Sequence, residues 1–201
     1  MVLAIPILVG IPVHRKTVSL ISLPTFSTSE SGKLDKSINS SNDISGAIFL
    51  PIGPTCPMPV LSWQHGTVVA DEGAPSKSIN SSYNTLSSTQ TIGFVAASHG
   101  YIVFMSDYLG LGDGEGFHNY SHSDTEASAV IDLIIEGGGF IQSMGLDTNG
   151  QIFLMGYSQG GHATMASVKV VELNYSDEFT GTDYKNLHSI NLSLIHISEP
   201  T

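Results

Sequence analysis

Gly156-Tyr157-Ser158-Gln159-Gly160 places a serine midway between two glycines. An apolar run, Gln151–Met155, precedes it, and a stretch with helical apolar spacing follows it. In that context the pattern predicts a sharp strand-to-helix turn with Ser158 at its apex, its hydroxyl raised above a sheet for nucleophilic attack. The residues two places away on either side must be small or they collide across the turn, which Gly156 and Gly160 satisfy. The helix start adds a dipole and a free N–H, that of Gln159, aimed at a developing oxyanion. His65-Gly66-Thr67 leaves the end of an earlier strand, and Gly66 lets the backbone come close to a substrate. The backbone N–H of Gly66 or Thr67 is therefore the expected second oxyanion donor. His65 reads as a residue orienting this loop rather than as a proton carrier.

Other constellations carry less. Gly110, Gly112, Gly114 and Gly116 alternate with other residues after Asp107-Tyr108, but Glu115 occupies the last glycine position of a dinucleotide fingerprint, and no helix opens behind it. The segment reads as a turn-rich loop bordering the site, with Asp107 and Tyr108 supporting it. His118 and His122 with Asp124 have ligand-like spacing, yet no third soft ligand lies nearby, so no metal is expected. His162, four residues beyond Ser158, reads as structural.

These residues need elements to hold them. Gly46–Pro51, Val60–Gln64, Tyr101–Ser106 and Gln151–Met155 are short apolar runs expected as strands, the later ones buried on both faces. Thr91–Ser98 is expected to be helical and stopped by Gly100. Ser123-x-x-Glu126 reads as a capping box, and Ala127, Val130, Ile131, Ile134 and Ile135 follow as one apolar stripe, with Gly137-Gly138-Gly139 expected to end the helix. A further helix shows Ala163, Ala166, Val170 and Leu173 on one face. Pro54, Pro57 and Pro59 make a rigid connection. Residues 27–45 and 71–88 read as Ser/Asn-rich loops. Alternating strands and helices predict an α/β fold with a mostly parallel sheet between helices.

The 201 residues suit one domain, with 46–191 as its body and 1–45 as an N-terminal segment. Apolar residues make up 41% of the chain, enough for a core. The formal charge of −11 excludes a nucleic-acid footprint and disfavours an anionic membrane surface. Cys56 is the only cysteine, which excludes a disulfide framework. No apolar run is long enough for a transmembrane helix. Met1–Val13 is apolar like the core of an export signal but lacks its basic start and cleavage pattern. Asn39, Asn80, Asn119 and Asn174 each begin an N-x-[ST] sequon, compatible with secretion. Leu192–Thr201 reads LSLIHISEPT and matches, codon for codon, the translation of a transposase sequencing adapter; residues 192–201 are accordingly set apart from the fold as an artefact.

WQHGT (63–67), ASHGYIVFMSDYLGLGDGEGFHNY (97–120), SDTEASAVID (123–132) and GYSQGGHA (156–163) together resemble an α/β-hydrolase of the secretory lipase group, similar to fungal lipase A and its bacterial esterase relatives. The resemblance spans about residues 46–175. It implies hydrolysis of small acyl esters or lipids through an acyl-enzyme on Ser158, with a histidine base and an aspartate that orients it, and with no cofactor. The acid and base follow the nucleophile in such chains. Asp177, Glu178 and Asp183 fall too early for the acid, and His188 lies at the wrong end of the next strand. Both are therefore expected beyond Asn191, in a fold incomplete at its C-terminus. Two other readings share the serine turn: a peptidase of the prolyl-oligopeptidase kind, for whose accessory domain no room precedes the sheet, and a catalytically dead binding module, which has no need of a strained turn.

Overall fold

The computed structural model describes residues 18–27, 43–77, 88–174 and 193–195, with side chains in 44–77 and 89–173. Met1–Val13, Asn39, Asn80, Asp177, Glu178, Asp183 and His188 lie outside these. Six strands form one sheet in the order β1-β2-β4-β3-β5-β6: β1 is Val18–Ser27, β2 Asp43–Pro51, β3 Met58–Gln64, β4 Ile102–Ser106, β5 Thr148–Tyr157 and β6 Ser193–Ile195. β3 pairs in parallel with β4 and β5, and β5 with β6, while β1–β2 and β2–β4 are antiparallel. The helices are α1 (Ser88–Ser98), α2 (Ser123–Ser143) and α3 (Gln159–Asn174). The architecture is a sheet flanked by helices and mostly parallel, as the resemblance to an α/β-hydrolase implies.

Alternation along the strands divides the core in two, as a sheet covered on both faces requires. Ile48, Val60, Ile102, Phe104, Ile152 and Leu154 meet α2 and α3 through Val130, Leu133, Ile134 and Ala163. The intervening Phe49, Leu61, Trp63, Val103 and Met105 meet α1 through Ile92, Phe94 and Ala97. The parallel strands carry their C-terminal ends to one edge, so Gln64, Ser106 and Tyr157 all deliver their following loops to the same side.

Several boundaries differ from the sequence reading. β2 begins at Asp43, inside the expected 27–45 loop, and β1 pairs with it. β3 begins at Met58 and takes in Pro59, where its register against β5 shifts; such an irregularity tolerates the missing N–H. Leu173 is 69% exposed, so the buried face of α3 ends with Val171. The capping box does not form: His122 is the N-cap of α2 and makes no side-chain cap, and Ser123 is the first helical residue.

The glycine triplet does not end α2 but lies inside it. Gly137 is there for contact, because a Cβ at that position would sit 2.7 Å from Phe104 Cε1. Phe140 and Ile141 beyond it pack on the core, and this burial carries the helix through three poor helix formers. At Gly139 a Cβ would meet nothing within 4 Å. Gly137→Ala is therefore expected to destabilise by about 1–3 kcal/mol through overpacking. Gly139→Ala is expected to stabilise by about 0.5–1 kcal/mol. Urea unfolding of the two variants checks both signs.

Candidate active site

β5 ends at Tyr157, α3 begins at Gln159, and Ser158 between them has φ 57°. Left-handed backbone at a residue with a Cβ costs about 1–2 kcal/mol, and here it turns an exposed serine out of the sheet edge at the helix start. The glycines on either side are dictated by contact. A Cβ on Gly156 would lie 2.1 Å from the Gly160 carbonyl oxygen, and one on Gly160 would lie 1.9 Å from that of Gln64. Below the turn, Gln64 and Thr164 fasten β3 to α3. In the amide orientation that satisfies both ends, Gln64 Nε2 donates to the Met155 carbonyl at 2.8 Å and to Thr164 Oγ1 at 2.9 Å. Thr164 in turn donates to the Gly160 carbonyl at 2.7 Å.

The loop after β3 reaches the same point. A Cβ on Gly66 would be 3.5 Å from that of Ser158, so the 65–67 backbone runs directly beside the serine. Thr67 is exposed, with Oγ1 3.3 Å from the Tyr120 hydroxyl. His65 is buried beneath. One ring nitrogen, Nδ1, donates to the Gly66 carbonyl at 2.7 Å, and Nε2 lies 3.4 Å from the Asp107 carbonyl. Burial lowers its pKa to about 4, so it is neutral at pH 7 and spans two loops. Tyr108, itself at φ 67°, packs its ring at a tilt against His65, centroids 4.3 Å apart, and donates its hydroxyl to the His65 carbonyl at 3.0 Å. Burial holds that phenol protonated.

The Asp107 side chain turns away from Ser158. Its Oδ1 accepts the Ser76 N–H at 2.8 Å, and Oδ2 accepts the hydroxyls of Ser45, at 2.5 Å, and of Ser76. It thus ties β2 and the loop before α1 to the end of β4. Burial outweighs these donors and raises its pKa to about 6. Asp132 on α2, with Oδ2 buried and without a partner among the described residues, is raised to about 7 by burial and then by Glu136 one turn on. Both acids bind protons more tightly folded than unfolded. Their contribution is therefore full below about pH 4 and is lost as pH rises through 6 for Asp107 and 7 for Asp132. Asp107→Asn is expected to flatten the dependence of unfolding free energy on pH between about 4 and 6, measured by urea titration. An unchanged slope contradicts the assignment.

A third group was not legible as part of the site. Glu126, 1% exposed, takes the Ser121 N–H at 3.1 Å and the Gln159 side-chain amide at 2.8 Å on Oε1, and His162 Nδ1 at 2.6 Å on Oε2. Gln159 Nε2 also reaches His118 Nε2 at 3.0 Å, and His118 Nδ1 donates to the Leu109 carbonyl at 3.0 Å. Ser121 is the remaining non-glycine residue at positive φ among those described, at 53°. The signal in the sequence was the acid of the presumed capping box, which turns inward instead. His118, His122 and Asp124 do not converge, and among the described residues no three His, Cys, Asp or Glu could hold a metal. Each described histidine is engaged away from Ser158: His65 and His118 as above, His99 with the Val95 carbonyl, His122 with Thr125, and His162 with Glu126 and Ser123.

Residues 78–180, about half the chain, match the secretory lipase family. The chain belongs to that family. Its solved relatives agree. The rice cell wall degrading esterase LipA from Xanthomonas oryzae is 32% identical, with a TM-score of 0.68, over 82% of this chain and 40% of that one. A protein of Legionella pneumophila is 26% identical, with a TM-score of 0.67, over 85% and 42%. Candida antarctica lipase A in its closed state shares the fold at 20% identity and a TM-score of 0.56, over 80% and 35%. The chain thus spans about two fifths of the length of these relatives. No curated protein matches. Among the described residues no helix is long and apolar enough to cross a membrane.

Proposed function

We propose that the protein is a secreted serine hydrolase that cleaves carboxylic esters through an acyl-enzyme on Ser158. The observation that carries this reading is the strained, exposed Ser158 beside the Gly66 backbone at the start of α3. In this mechanism Ser158 Oγ adds to the ester carbonyl as a base takes its proton, the C–O bond breaks and the alkoxide leaves with that proton as the alcohol, and water then attacks the acyl-enzyme to release the acid and restore the Ser158 hydroxyl. The Gln159 N–H and a second amide, from Gly66 or Thr67, stabilise the oxyanion. Gly156 and Gly160 make room for the turn. His65, Tyr108 and Asp107 hold the opposing loop. No cofactor takes part in this mechanism.

The mechanism needs a general base, and the described histidines are all occupied elsewhere. The reading therefore places the base and its acid outside the described residues. A serine site without its base retains residual acceleration from oxyanion donors and binding, about 10³–10⁴ over water. The test is p-nitrophenyl ester hydrolysis by the 201-residue chain, with peptide p-nitroanilides alongside. Slow ester acylation is expected, absent in Ser158→Ala, with no anilide cleavage. Ester turnover that survives Ser158→Ala overturns the reading, and anilide cleavage favours a peptidase.

A further inference from the structure

We propose that Glu126 is a positioning residue that aims the oxyanion amide of Gln159 by gripping that residue's own side chain; the inference rests on the acyl-enzyme reading above. Gln159 follows a left-handed serine and has only the helix behind it to hold its peptide plane. Its side chain is 3% exposed and is pulled back under α2, where Nε2 spends one hydrogen on Glu126 Oε1 and the other on His118 Nε2. The donation is directional. Nδ1 of His118 is committed to the Leu109 carbonyl as donor, and Nε2, facing the Gln159 N–H, accepts. Glu126 is purely an acceptor and cannot take the amide the other way round. Gln159 Oε1 is left buried without a partner among the described residues. The amide's orientation is thus chosen by its nitrogen, at the expense of an unsatisfied oxygen.

The same carboxylate fixes what lies around Gln159. Its Oε1 also holds the Ser121 N–H, at the strained end of the loop carrying His118 and Tyr120. Its Oε2 holds His162, one turn along α3. One buried carboxyl group therefore binds the first turn of α3 at two points and the facing loop at a third. Removing it leaves the Ser121 N–H without this acceptor and the Gln159 amide held by His118 Nε2 alone, so the grip on Gln159 loosens. Its backbone N–H survives any such change, so a loss of rate reports aim rather than the number of donors.

Covalent labelling of Ser158 in the 201-residue chain by an alkyl fluorophosphonate tests this. With no base among the described residues, the residual rate depends mainly on the oxyanion donors. The maximal rate constant is expected to fall about tenfold or more in Glu126→Ala, with the reagent concentration for half-maximal rate unchanged. Glu126→Gln is expected to restore most of the rate: its oxygen can serve Ser121 and Gln159, while His162 shifts its proton to Nε2 and accepts at Nδ1. Gln159→Leu, which keeps the backbone N–H and much of the volume, should reproduce the loss if Glu126→Ala does not fold. Parental rates in both Glu126→Ala and Gln159→Leu overturn the positioning role and leave the acyl-enzyme reading intact. A loss that only follows the unfolded fraction, with Glu126→Gln no better than alanine, makes the role structural and overturns the proposal. No Ser158 adduct in the parent brings down both.

Discussion

Gly160→Ala is expected to abolish covalent labelling at Ser158 and to cost about 3 kcal/mol of stability, the upper end of what overpacking does. The added Cβ falls 1.9 Å from the Gln64 carbonyl oxygen, with the His65 oxygen at 2.8 Å. Both are backbone atoms at the end of β3, so no rotamer change relieves the clash. Either α3 withdraws from the sheet or the end of β3 moves, and the second course carries away the loop that holds Gly66 beside Ser158. The alanine at Gly156 is a weaker version, since part of its clash is with the Thr164 hydroxyl, which can rotate. Urea unfolding and the labelling rate should therefore change together in Gly160→Ala. Parental labelling in this variant would show that close approach of β3 and α3 is not needed to build the turn.

The second large effect separates stability from chemistry. Ser158→Ala and Ser158→Gly are both expected to remove acylation completely, but their stabilities should differ. Ser158 sits at φ 57°, where a Cβ is costly and glycine is at ease. Alanine keeps the strain, whereas glycine releases it, at some entropic cost in the unfolded chain. Ser158→Gly should therefore be more stable than Ser158→Ala by about 0.5–1 kcal/mol. Thermal or urea unfolding of the pair measures the strain stored at this turn. Equal stabilities would mean that the turn is not strained in solution.

Some of this was readable from residue order. The glycines around Ser158 and the apolar run before it foretold a tight strand-to-helix turn, because only small residues clear that geometry. Alternating apolar runs foretold the mostly parallel sheet. What escaped had a non-local cause. Gly137 looks like a terminator until the Phe104 ring is placed against it, and then it is a contact. Glu126 looks like a cap acid until α3 arrives with Gln159 and His162, after which it is a buried acceptor for three groups on two segments. Asp107 stands at the mouth of a glycine loop in sequence, but its side chain points to Ser45 and Ser76, partners 62 and 31 residues away. Short-range pattern identifies the turn, whereas long-range pairing decides which polar residues support it.

One measurement bears most directly on the claim that Ser158 is an activated alcohol at the sheet edge. The 201-residue protein is treated with a fluorophosphonate, and the adduct is located by peptide mass spectrometry. A single phosphonyl group on Ser158 is the expected result, forming faster in the folded protein than in the same chain unfolded in urea. Modification spread over other serines, or no difference between folded and unfolded chains, would contradict it.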